Sequence, residues 1–148
     1  MKTPVMEERD WSERTSAPDT QLKQTDAVFE SFFERTSDAV WLFDPQAGVF
    51  VDCNEAAVSL IGATNKEQLL QVTPSQLSPA IQPDGVSSDE RTVQIIALVE
   101  KHESYQFEWI VRHMDGREIP LEVSCTQIIK DGRKLNVVIS RDISERKK

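Results

Sequence analysis

Two cysteines, two histidines and five glycines are all that 148 residues contain of these types, and each scarcity removes a class of function. Cys53 and Cys125 stand far apart without a CxxC pair or a nearby histidine, so no metal-ligand set is spelled out and two reduced, packed thiols are expected. Basic residues are also short. Against 25 Asp plus Glu there are 17 Lys plus Arg, a net charge of −8, which argues against nucleic-acid phosphates or an anionic membrane surface as the main partner. No apolar run is longer than Ile95 to Val99, far below the roughly 20 residues that cross a bilayer. The first residues lack the apolar stretch of a secretory signal, so a cytoplasmic location is the expectation. Phosphate-binding glycine loops and nucleophile, base and orienter combinations are missing as well. Catalysis within this chain is therefore not expected, and neither is a metal site.

What is present is an apolar content of 39% gathered after Val28, enough for a single core. Residues 1–22 are charged and rich in Ser and Thr without a period, which predicts a flexible tail. An amphipathic helix is predicted over 23–37, capped by Asp26, with Phe29, Phe32 and Phe33 on one side. Ala39 to Phe43 and Val49 to Val51 form a first hairpin around Asp44-Pro45. Asn54 caps a short helix that Gly62 ends, and Thr64 with Glu67 has capping-box spacing for a second. Residues 73–85 hold three prolines and predict a loop with at most one helical turn. Ser87 with Glu90 opens the longest helix, where Ile95, Leu98, Val99 and His102 share a face.

The last third is a meander of three strands divided by Asp115-Gly116 and Asp131-Gly132. A two-residue loop at the first would set Trp109 opposite Glu122; a three-residue loop with glycine as the left-handed residue sets Trp109 beside Leu121 and Phe107 beside Val123. Three-residue loops are expected in both hairpins, the second then pairing Val123 with Ile139 and Cys125 with Val137. One sheet face becomes apolar, and the other carries Glu108, Ile110, Arg112, Glu122, Ser124, Thr126, Val138 and Ser140.

Local strings add a resemblance to this order of elements. Asp38-Ala39-Val40 running to Asp44-Pro45, Asn54-Glu55-Ala56-Ala57, Phe107-Glu108-Trp109 with Asp115-Gly116, and the ending Arg141-Asp142-Ile143-Ser144-Glu145-Arg146 together resemble the PAS (Per-Arnt-Sim) sensory domain. The ending is the most specific, with Ser144 where threonine is commoner, and the likeness runs from about Thr25 to Lys148. It implies an α+β fold: a five-stranded antiparallel sheet with helices on one face and an N-terminal capping helix, the domain spanning 38–143 and a signalling linker helix starting at 144–148. It also implies an input module for a C-terminal effector, such as a histidine kinase or diguanylate cyclase, as a homodimer that binds a small ligand or a protein partner.

In flavin-binding relatives the residue two before the junction Asp, here Ser140, faces the cavity. The expected pocket is therefore the mixed face with Trp41 and Phe43 of the first strand and Ile96 of the long helix: Glu108, Ile110, Arg112, Glu122, Ser124, Val138 and Ser140. The apolar face would turn outward, with Trp109, Val123 and Ile139 met by Phe29, Phe32 and Phe33 or by a second subunit. Asp142, Ile143 and Ser144 would be the signal junction. Glu108 and Glu122 fall opposite each other, so one should hold its proton or a cation should lie near. Two readings of that pair stay open, a polar pocket with Arg112 for an anion, and side chains that reach water or neighbouring cations. The cofactor is left unnamed. Haem through His102 is disfavoured because the histidine sits about one residue out of register, and flavin-cysteine photochemistry because the Asn-Cys-Arg-Phe-Leu-Gln string is missing. A ligand-free dimerisation module is the alternative, and an enzyme using Glu108 or Glu122 as a buried base ranks last.

Overall fold

The structure is a computed structural model that describes residues 30–147. The chain divides into two units, residues 1–35 and 36–148. Of the first, residues 30–35 are helical, while the expected tail over 1–22 and Phe29 lie outside the described residues.

The second unit is an α+β domain built on a five-stranded antiparallel sheet in the order β2-β1-β5-β4-β3. The strands are β1 Ala39–Asp44, β2 Val49–Cys53, β3 Ser104–Arg112, β4 Glu118–Lys130 and β5 Arg133–Asp142. β1 carries an unbroken apolar run because Ala39 to Phe43 are all buried, and a strand covered on both faces has no polar side to alternate with. Asp44 ends β1 by folding its carboxylate over the turn, where it accepts from the N–H groups of Gln46 and Ala47 at 2.9 and 3.1 Å.

Helix α1, Glu55–Ile61, begins where the Asn54 side chain accepts from Ala57 N at 3.0 Å and stops at Gly62, whose φ of +79° suits glycine. The following helical turn, Lys66–Leu69, is capped by Asn65, one residue later than the capping box expected at Thr64. Asn65 wins because its side chain accepts from Gln68 N, and Gln68 Oε1 turns back to take Thr64 N. Within the proline-rich stretch one turn forms, Pro74–Leu77, closed by a Thr73/Gln76 capping box. Helix α2, Ser88–His102, starts at Ser87, whose hydroxyl accepts from Glu90 N at 3.1 Å.

The β3/β4 hairpin has the register derived from the sequence: Phe107 opposite Val123, Trp109 opposite Leu121 and Val111 opposite Ile119. Its three-residue loop turns at Gly116, with φ +95°. The β4/β5 hairpin differs by one residue. Lys130 pairs with Arg133 around a two-residue loop, Asp131 and Gly132, with φ of +52° and +77°. Positive φ at both central residues is the type I′ turn that Asp-Gly favours in two-residue hairpins. Val123 consequently faces Ser140, not Ile139, and Cys125 faces Val138, not Val137.

Because residues directly opposite in a ladder share a face, this single step gathers Val123, Cys125, Val138 and Ser140 on one side. That side is covered by α1, α2 and the two helical turns. The core there includes Trp41, Phe50, Ile61, Leu69, Ile95, Val99, Leu121 and Val123.

Candidate functional site

A cavity of about 80 Å³ lies between the covered sheet face and α2. Trp41 and Phe43 of β1 and Phe50 of β2 form one wall, with Trp41 and Phe50 rings 4.7 Å apart and Phe43 edge-on to Phe50 at 5.5 Å. Phe107, Trp109 and Val111 of β3 and Leu121, Val123 and Cys125 of β4 form the opposite wall. Thr92, Ile95 and Ile96 reach in from α2, Pro74 and Leu77 from the turn before it, and Asn136, Val138 and Ser140 from β5.

Hydrogen bonds fix the helix against the sheet. Trp109 Nε1 donates to Ser78 Oγ at 2.9 Å, and that hydroxyl donates to Pro74 O at 2.6 Å, which ties the wall residue to the turn. The buried amide of Gln82 behaves like a short extra strand on the edge of β3. Its Oε1 accepts from Ile110 N at 2.9 Å, and its Nε2 donates to Ile110 O at 3.1 Å. The same Nε2 donates to Ser88 Oγ at 2.9 Å, joining the start of α2 to that edge.

The cavity is chemically quiet. Among the described residues no Lys, Arg, Asp, Glu or His side chain lines it. Burial pushes the Cys125 thiol up to about 12, so at neutral pH it is an apolar wall and not a nucleophile. Thr92 spends its hydroxyl on Ser88 O at 2.8 Å. Asn136 differs: it is 3% exposed, and its Oδ1 is buried without a hydrogen-bond partner. Among the described residues no group of three or more His, Cys, Asp or Glu could hold a metal ion.

The structure brings five of the expected pocket residues together, namely Trp41, Phe43, Ile96, Val138 and Ser140. It places Glu108, Ile110, Arg112, Glu122 and Ser124 on the opposite face, which corrects the expectation. The reason is the type I′ turn: with Ser140 facing inward, the observed pairing brings Val123 inward with it instead of Glu122. Glu108 and Ile110 border a separate, larger hollow of about 520 Å³ with Gln82, Asp84 and Arg91, where Arg91 pairs with Asp84 at 3.1 Å. Arg112 pairs with Glu118 at 3.2 Å. Glu108 and Glu122 do sit opposite each other, and the cations that approach Glu122 are Arg141 at 4.0 Å and Arg146 at 3.6 Å.

The docking face is corrected by the same step. Trp109 and Val123 are buried around the cavity, while Ile139 alone of the three remains on the outer side, half-buried. Phe33 is buried and Phe32 is 49% exposed. The outward apolar face that favoured a ligand-free dimerisation module is thus turned inward. His102 stands exposed at the end of α2 and does not line the cavity. Phe50, Pro74, Leu77, Thr92, Ile95 and Asn136 also line the cavity without having been expected there; the one legible signal is Asn136, a polar residue inside Leu135 to Ser140.

At the junction, Asp142 Oδ1 accepts from Ser144 N at 2.8 Å and from Ser144 Oγ at 2.6 Å, starting helix α3, Ser144–Lys147. Ile143 is buried at 3%, and its N–H donates to Pro120 O at 3.0 Å. The proline at 120 faces Ile110 across the ladder, where it forfeits no β3 bond because Ile110 turns its polar groups to Gln82.

Comparison with known proteins gives a consistent picture. Residues 37–145 match the family model described as PAS domain. Over 127 residues the chain is 29% identical to the methyl sulfide methyltransferase-associated sensor of Methanosarcina acetivorans, covering 86% of this chain but only 12% of that protein's length. Among solved structures, a PAS domain from Colwellia psychrerythraea superposes with a TM-score of 0.67 at 27% identity, covering 84% of this chain and 98% of that one. The PAS domain of an HTR-like protein from Haloarcula marismortui gives 0.68 at 20% identity, covering 84% and 97%.

Proposed function

This chain belongs to the PAS domain family, and we propose that it is a sensory input module whose cavity takes up a small molecule and whose last strand carries the change to the helix at Ser144. The observation that supports this reading is continuity. Asn136, Val138 and Ser140 wall the cavity, and the same strand reaches Asp142, the cap of α3, two residues after Ser140. A ligand that packs against β5 can therefore favour one setting of the junction, and it shifts output only as far as it binds that setting better than the other.

The receiving effector is a C-terminal histidine kinase or diguanylate cyclase, and the module acts in the cytoplasm as a homodimer. No helix among the described residues is long and apolar enough to cross a membrane. The test is a thermal-shift screen of purified protein against uncharged metabolites, followed by amide hydrogen exchange over residues 141–147 with each stabilising compound. Bound compound should slow or quicken exchange in that segment, and Asp142→Ala should break the link while leaving binding intact. Binding without any change at 141–147 would sink the sensory reading.

A further inference from the structure

Resting on the reading of this cavity as a ligand site, we propose that its ligand is a very small, uncharged, mostly apolar molecule whose hydroxyl is held by the side-chain amide of Asn136. Size sets the first limit. An apolar cavity of about 150 Å³ accommodates benzene, so about 80 Å³ suits a molecule of roughly three or four non-hydrogen atoms at the same packing. Charge sets the second. With no ionisable cation or carboxylate in the lining, a carboxylate or ammonium ligand would give up its hydration for nothing in return.

The third limit comes from Asn136. Buried polar atoms are almost always paired, and Oδ1 of Asn136 is not. The other polar groups of the lining do not pair with it: the Thr92 hydroxyl already donates to Ser88 O, the Trp109 indole N–H donates to Ser78 Oγ, and neither the Cys125 thiol nor the Ser140 hydroxyl bonds the Asn136 oxygen. A ligand hydroxyl both donates and accepts, so it satisfies the amide whichever way its oxygen and nitrogen are turned. A halide or alkyl group of the same size does not.

The experiment titrates the full chain with 1-propanol, 1-chloropropane and propionate, following the Asn136 side-chain amide and the β5 backbone signals by NMR. 1-Propanol should move the Asn136 amide and saturate at least tenfold below 1-chloropropane, while propionate leaves both sets of signals in place. Asn136→Leu, which replaces an unpaired acceptor by an apolar group of similar shape, should weaken 1-propanol at least tenfold and leave 1-chloropropane equal or tighter. Equal binding of alcohol and chloride to the wild-type chain overturns the proposal without recourse to the variant. So does a bound water at Asn136 that none of the probes displaces. Alcohol binding through Asn136 with unchanged exchange at 141–147 keeps this ligand class and removes the sensory reading. A larger or charged metabolite that binds and changes that exchange does the reverse.

Discussion

Asn54 is the residue whose removal should cost the domain most for its size. It is fully buried, and its side chain serves three backbone groups: Oδ1 accepts from Val40 N and Ala57 N, each at 3.0 Å, and Nδ2 donates to Asp38 O at 3.0 Å. One amide thus caps α1 and pins β1, the strand that carries Trp41 and Phe43 to the cavity. In Asn54→Ala the lost cap costs about 1 kcal/mol. The stranded Val40 N–H, also wholly buried, adds about 1–3 kcal/mol. Asp38 is partly exposed and its carbonyl can turn to water, so it adds little. The sum, about 2–4 kcal/mol, is a large share of the roughly 5–15 kcal/mol that holds a domain together.

Urea unfolding followed by circular dichroism measures this. With a slope of about 1–3 kcal/mol per molar for a small protein, the midpoint should fall by about 0.7–4 M at unchanged slope. Asn54→Ser separates the two contributions, because a serine hydroxyl caps Ala57 N but is too short to reach Val40 N. It should recover about 1 kcal/mol and no more. Native-state hydrogen exchange at Val40 should quicken in both variants. An alanine variant within about 1 kcal/mol of wild type, or a serine variant equal to it, would refute the assignment of the larger share to the buried N–H.

Three further outcomes are expected. Gly62→Ala should cost about 2 kcal/mol or more, since φ is +79° and a Cβ there runs into the His113 ring; adding His113→Ala should recover the steric share and leave the backbone share, which a double-mutant cycle in urea reads directly. Gln82→Ala should cost about 1–2 kcal/mol and speed exchange of the Ile110 amide, and unchanged exchange there would show that Gln82 does not close the β3 edge. Cys125 is neutral in the folded chain up to about 12 because it is buried, while the unfolded thiol ionises near its ordinary value of 9.0. The unfolded state therefore loses a proton first, and native stability should fall between those two pH values more steeply in wild type than in Cys125→Ala, with parallel curves counting against the shift.

Particular residues explain why the sequence was easy to read in one hairpin and misleading in the next. In β3 and the first half of β4, apolar and polar residues alternate cleanly, Phe107, Trp109 and Val111 against Leu121 and Val123. Only one register puts like with like, and it is the one found. β5 offers no such test. Leu135 and Asn136 are both buried, and Val137, Val138 and Ile139 are all half-buried, because the strand lies between β1 and β4 with side chains packed on both faces. Apolar matching then favours two registers almost equally, and turn chemistry decides. Asp131 and Gly132 both enter the left-handed region, which permits the tighter loop, whereas a single left-handed glycine suffices at Gly116. The inward position of Ser140 came from family likeness. Joined to a register one residue out, it carried Glu122 to the cavity in place of Val123.

Setting the apolar face inward changes what holds the junction. The outer face now has the ionic groups, and Glu122 reaches Arg141 and Arg146 across 4.0 and 3.6 Å with side chains 45%, 64% and 60% exposed. Pairs so open to water are each worth about 0–1 kcal/mol and weaken with salt. Ile143, at 3% exposed, gains about 1.5–3 kcal/mol from burial, and its N–H adds a bond to Pro120 O. Burial outweighs the ion pairs, so the junction is set by how the end of β5 packs against β4. Val138 and Ser140, which face Cys125 and Val123, tie that same packing to the cavity wall, the route on which the proposed function depends. Glu108 and Glu122 lie on the outer face, outside this route, and the Glu122 ion pairs there add little to the setting of the junction.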